Sequence, residues 1–209
     1  QSWNGTNWTV VSGLNTGRAS LAGSGVDNTS SLAFGGEGPG VPLANTEKWN
    51  GSAWTETTDL NQARQYAGGA GMSSTLALAY GGNTLSTYQN LTEEFTGGGS
   101  PVGAWSTGGS LNTARAQNAG AGADSTSGLT FGGTPIPGVA GKTEQYDGTS
   151  WTEVNDMNKG GVERGGTGTA TSALAFGIED PNPPTGNNPD DLTESWNGTN
   201  WTEVNDLNT

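Results

Sequence analysis

Five stretches of this chain carry all eight of its tryptophans, and each is written as two short strands around a tight turn. The clearest is TEQYDGTSWTEVNDMN, residues 143–158. In it Thr143, Gln145, Thr152 and Val154 alternate with Glu144, Tyr146, Trp151 and Glu153 at the period of two that a strand requires. Asp147-Gly148 between the two halves supplies the positive φ of a two-residue hairpin turn. The other stretches are SWNGTNWTVV from Ser2, TEKWNGSAWTET from Thr46, LTEEFTGGGSPVGAWSTG from Leu91 and TESWNGTNWTEV from Thr193. Four of the five keep Asn-Gly or Asp-Gly at the turn. The third replaces it with a longer Gly-rich connection that leaves both strands intact.

The second tryptophans of these hairpins, Trp8, Trp54, Trp105, Trp151 and Trp201, lie 46, 51, 46 and 50 residues apart, so the chain is a repeat. Two further motifs keep step with them. SSLAFGG, LALAYGG, SGLTFGG and SALAFG end at Gly36, Gly82, Gly133 and Gly177. LNTGR, LNQAR and LNTAR place Arg18, Arg64 and Arg115 four residues after a leucine; in the last unit Gly161 holds that place and Arg164 comes three residues late. One unit thus reads as an arginine, a Gly/Ala-rich strand, a small and apolar strand closing in Gly-Gly, and the aromatic hairpin. Four strands in roughly 45–50 residues is the arithmetic of a propeller blade.

The order Arg, Gly-Gly, Tyr-Asp, Trp, Leu/Met, as in FGG…QYDGTSWTEVNDM, resembles the kelch repeat. The resemblance covers nearly the whole chain. Its departures are the missing second glycine after Gly177, the displaced Arg164, and Phe95 where the family has Tyr or Trp. It implies an all-β propeller of four-stranded blades: four full blades at about 18–60, 64–111, 115–157 and 164–207, within one domain of residues 1–209. The Asn-Gly-Thr-Asn-Trp-Thr stretches are also similar to kelch-like repeats in surface and appendage proteins of aquatic bacteria and their phages.

With 37 glycines and only 30% hydrophobic residues in 209, no single thick core is available, and the hairpin tryptophans are expected to do most of the burying. Gly/Ala runs such as 67–71 and 119–122 make poor strands on propensity, and suit the innermost strands of blades, where backbones crowd. The recurrent arginines are expected to tie each blade to its neighbour. Residues 1–12 form a hairpin with no Gly-Gly strand before it, and the last hairpin repeats it almost letter for letter. Three readings follow: a window from a longer array, a five-bladed ring with an incomplete blade, or a hairpin that adds its strands to a neighbouring molecule.

The net charge of −13, with no basic patch, argues against nucleic acid, and no apolar run is long enough for membrane insertion. Histidine and cysteine are both absent, which removes the usual general base, the Ser-His and Cys-His nucleophiles and the common transition-metal ligands. Paired carboxylates such as Glu93-Glu94 are read as solvated edges, and the chain as no enzyme. The expectation is a non-catalytic structural and adhesive protein, extracellular or on a cell or virion surface, self-associating into an oligomer or filament. The alternative is a monomeric lectin-like module that grips glycan with loops at 37–44, 83–90, 134–140 and 178–191. In those loops Tyr88, Asp190 and Asp191 are the candidate ligand-binding residues. No cofactor is expected; calcium is the one ion the oxygen-rich loop 178–191 would suit, although it lacks the spacing of a defined calcium loop. Asn4, Asn7, Asn28, Asn50, Asn90, Asn197 and Asn200 each open a glycosylation sequon, and Asn4, Asn50 and Asn197 are also explained as turn residues.

Overall fold

The computed structural model describes residues 1–97, 103–135, 138–162, 165–177 and 192–207, and every regular element among them is a strand. At the N-terminus β1 (Ser2–Trp3) and β2 (Trp8–Thr9) form a two-stranded sheet of their own. Blade 1 follows with β3 (Ala22–Asp27) and β4 (Ser30–Phe34), a small side hairpin of β5 (Glu37–Gly38) and β6 (Val41–Pro42), then β7 (Thr46–Trp49) and β8 (Trp54–Glu56). Blade 2 holds β9 (Gly68–Ala70), β10 (Leu76–Tyr80), β11 (Thr92–Thr96) and β12 (Ala104–Thr107). Blade 3 holds β13 (Ala119–Asp124), β14 (Ser127–Phe131), β15 (Thr143–Tyr146) and β16 (Trp151–Val154). Blade 4 holds β17 (Gly165–Thr169), β18 (Ser172–Phe176), β19 (Thr193–Trp196) and β20 (Trp201–Glu203). Each blade is an antiparallel sheet whose strands lie in chain order, and the four are arranged as a propeller.

The turns follow from the sequence. Gly5, Gly51, Gly148 and Gly198 all sit at φ of 92–93°, the left-handed conformation that Asn-Gly and Asp-Gly admit without strain. The Asn or Asp before each glycine accepts two backbone N–H bonds across the turn, as Asn197 does from Thr199 and Asn200 at 2.9 Å. Without those contacts a hairpin of two to four paired residues would have little to hold its register.

The Gly/Ala runs are the innermost strands. The Gly25 N–H donates to the Gly71 carbonyl at 3.2 Å and the Gly71 N–H to that of Gly122 at 3.1 Å, so three blades join backbone to backbone near the axis. A Cβ added to Gly69 would lie 2.8 Å from the Gly23 carbonyl oxygen. Only glycine permits that approach. At the opposite ends of these strands the Gln117 N–H donates to Tyr66 and the Tyr66 N–H to Ser20, at 3.0 and 2.9 Å. Ser20, Tyr66 and Gln117 all take φ of 53–54° to make this chain of bonds, which gives Tyr66, an aromatic outside the hairpins, its place.

The inner strands pack in series, β3 on β9, β9 on β13 and β13 on β17. Among the described residues β17 and β3 make no comparable contact, so the ring has a seam between blades 4 and 1. The expectation that tryptophan packs holds in the blades, where Trp49, Trp105, Trp151, Trp196 and Trp201 are buried and Trp54 partly so. It fails in the N-terminal hairpin, where Trp3 is 43% and Trp8 66% exposed, because among the described residues no sheet lies against their face.

Gly69→Ala is expected to lower unfolding stability by about 1–3 kcal/mol in urea titration, as overpacking does. Gly13→Ala, with open space around it, should stay within about 0.5 kcal/mol. Equal effects at the two positions would contradict the crowding at the axis.

Candidate functional site

The recurring chemistry of this molecule is at its blade-to-blade seams. In each of the three seams between consecutive blades, the second hairpin tryptophan leans edge-on against the aromatic that precedes Gly-Gly in the blade before: Trp105 on Phe34, Trp151 on Tyr80 and Trp201 on Phe131, at 4.8–5.1 Å and 66–67°. The indole N–H of each then donates to a threonine of that same preceding blade, Trp105 to Thr46, Trp151 to Thr92 and Trp201 to Thr143, at 2.8–3.1 Å. The Tyr146 hydroxyl also crosses a seam, donating to Glu94 at 2.5 Å; burial and this carboxylate push the phenol up to about 12, so it remains a donor.

A buried polar clip recurs in the first three blades, and in blades 2 and 3 it also reaches the blade before. Arg18, Arg64 and Arg115 pair with Glu47, Glu93 and Glu144, with both side chains of each pair 0–3% exposed. The arginine carbonyl meanwhile belongs to the blade before, accepting from Gly36 at Arg64 and from Gly82 at Arg115. One residue therefore joins two blades, as its recurrence suggested. Burial pushes the Arg64 and Arg115 guanidiniums below the ordinary arginine value, against the pull of their glutamates. The asparagine of the LN motif completes the clip. Asn15, Asn61, Asn112 and Asn158 each bond one oxygen of the glutamate through backbone and side chain at 2.6–2.9 Å, and reach the carbonyl of the hairpin tryptophan. Arg164 lies outside the described residues.

These Thr-Glu pairs carry the seams, yet periodicity alone does not single them out. Their signal is spacing: each glutamate follows its arginine by 29 residues in three successive units. Glu93 and Glu94 do not converge as paired carboxylates, since neighbours on β11 point to opposite faces, one toward Arg64 and the other toward Tyr146.

Two cavities border blade 1. One of about 690 Å³ runs along the axis, lined by all four inner strands and by Ser31, Ala33 and Trp54 of blade 1. Its described lining offers hydroxyls and backbone but no ionisable side chain. The second, about 380 Å³, separates Gln1, Ser2 and residues 11–14 from Trp49 and Trp54. The root of the N-terminal hairpin thus lies against blade 1, held by bonds from Asn28 to Ser2 and Trp3 and from Ser12 to Ser52.

The predicted site residues are not brought together. Tyr88 is 42% exposed on a tight loop of blade 2, bridged to Asn83 and away from both cavities. Asp190 and Asp191, and with them the calcium reading of loop 178–191, lie outside the described residues; among the described ones no group of three or more acidic side chains could hold a metal. Of the sequon residues, Asn4, Asn50 and Asn197 each bond two turn N–H groups through their side chains, at 2.9 Å. Asn28 and Asn90 donate to backbone carbonyls, Asn200 accepts from Asn155, and Asn7 is exposed on the first hairpin. No protein-family model matches the chain, and no curated protein matches it.

Two outcomes test the clip. Arg115→Met leaves Glu144 buried without its cation and is expected to lose about 3–5 kcal/mol of unfolding stability, whereas Lys142→Ala, which removes a half-exposed pair with Glu153, should lose no more than about 1 kcal/mol. At Glu47, burial acts to raise the carboxyl, but bonds from Arg18 and from the backbone of Asn15 and Thr16 outweigh it and hold it below its ordinary 4.5. A depressed carboxyl stabilises the fold above the unfolded value and ceases to as pH falls through the folded one. Stability should therefore decline as pH drops below 4.5, and Glu47→Gln should flatten that part of the profile; an unchanged slope in the variant would contradict the assignment.

Proposed function

We propose that this protein is a non-catalytic structural and adhesive subunit of an extracellular or virion-surface fibre, built on kelch-like repeats and assembling by adding its N-terminal hairpin to a neighbouring molecule. One observation carries the reading. Residues 2–9 and 195–202 are the same octapeptide, SWNGTNWT, folded into the same hairpin with the same tilt of 42° between its tryptophans. In blade 4 these tryptophans are 1% and 5% exposed; at the N-terminus they are 43% and 66% exposed. A sequence that elsewhere makes a buried seam is here presented to solvent, and exposed aromatic surface of this kind suits association with another chain. The acidic net charge works against self-association at low ionic strength and is screened at about 0.15 M salt.

A second reading rests on Tyr88. With Leu85 61% exposed three residues before it, this loop presents an aromatic face of the kind that stacks on a sugar ring, as a lectin-like monomer would use.

Sedimentation and negative-stain images over rising concentration test the first reading. Strings or rings are expected to grow with concentration, and Trp8→Ser should remove them. A monodisperse monomer at every concentration, with glycan-array binding that Tyr88→Ala abolishes, would replace it with the second.

A further inference from the structure

We infer that the surface receiving the N-terminal hairpin is the face of blade 4 left uncovered at the open seam, formed by Leu174 and Phe176, and that its occupant is the hairpin of a second molecule. This rests on the assembly reading above and specifies its geometry: tryptophans laid on a sheet face, as between blades.

The three internal seams supply the template. The strand before Gly-Gly presents Leu32 and Phe34, Leu78 and Tyr80, or Leu129 and Phe131 to the blade that follows, and all six are 0–1% exposed beneath that blade's hairpin. Leu174 and Phe176 hold the same register on β18. Nothing described covers them: Leu174 is 40% exposed and Phe176 only partly buried. Blade 4 thus presents an apolar face without tryptophans on it, and the N-terminal hairpin presents tryptophans without a face beneath them.

The match is chemically specific. The buried SWNGTNWT hairpin of blade 4 packs its Trp196 and Trp201 on Ala119, Leu129 and Phe131, so the surface this octapeptide fits is already present in the molecule. Leu174 and Phe176 reproduce the leucine and phenylalanine of that surface at the same spacing. The hairpin of the same molecule does not fill it, being bonded to blade 1 through Asn28 and Ser12 with Trp8 turned to solvent. A contact between the first hairpin of one molecule and the last blade of the next is head-to-tail, and repeats indefinitely unless its rotation closes a ring.

Complementation between two full-length variants tests this. Leu174→Glu spoils the receiving face and keeps the hairpin; Trp8→Ser spoils the hairpin and keeps the face. Each alone is expected to be a folded monomer, and a mixture to give a 1:1 dimer that grows no further. Leu174→Ala, which adds no charge, should weaken association about tenfold or more, and separates loss of contact from loss of fold. If Trp8→Ser abolishes association while Leu174→Glu and Leu174→Ala leave it intact, assembly stands and this face is wrong. If the mixture fails to pair although both variants are folded monomers, the face is also wrong. If the parent chain is monomeric throughout, the inference falls together with the reading it rests on.

Discussion

Each seam depends on an indole from one sheet standing edge-on against an aromatic of the sheet before it while its N–H reaches a threonine of that sheet. A chain that is 30% hydrophobic and rich in glycine cannot fill a thick core, so it places a few large side chains where two thin sheets meet and repeats the arrangement. A buried tryptophan withdraws on the order of 200 Å² from water, worth roughly 5 kcal/mol before entropy is counted. The threonine acceptor satisfies the single polar atom that such burial would otherwise strand. The two requirements together fix how far apart and at what angle successive sheets sit, and hence the propeller.

The arginine clip sets order, with strength a secondary matter. A buried ion pair is weak evidence of stability, because the desolvation of both charges offsets their attraction. Here the arginine bonds the preceding blade through its carbonyl and its own blade through its guanidinium, and asparagine takes the other glutamate oxygen. A blade out of sequence would keep its ion pair but lose the backbone bonds that its arginine makes to the Gly-Gly turn of the blade before, from Gly36 to Arg64 and from Gly82 to Arg115. Glycines at the axis complete the constraint from inside, since the inner backbones approach at distances a side chain would forbid.

The hairpins, their turns, the four sheets and the position of the Gly/Ala strands were legible in the sequence because each is a local pattern recurring at constant pitch. The Thr-Glu pairs were not legible by alternation. Adjacent strand residues point to opposite faces, and in a propeller both faces are interfaces, so Thr143 and Glu144 are both fully buried. Nor could local sequence distinguish Trp8 from Trp201, whose flanking residues are the same; burial there is decided by the neighbouring sheet. Tyr88 and the loop residues Asp190 and Asp191 sit where the repeat imposes no register, and nothing in the pattern says whether such loops converge.

The central claim is that hairpin indoles are sealed between blades and left open only where no blade precedes them. Hydrogen exchange of the indole N–H groups, followed by ¹H–¹⁵N NMR at a concentration where the chain is monomeric, measures this directly. The account predicts slow exchange at Trp105, Trp151 and Trp201, whose N–H groups are bonded across a seam, and fast exchange at Trp8. Equal rates at all four would contradict it.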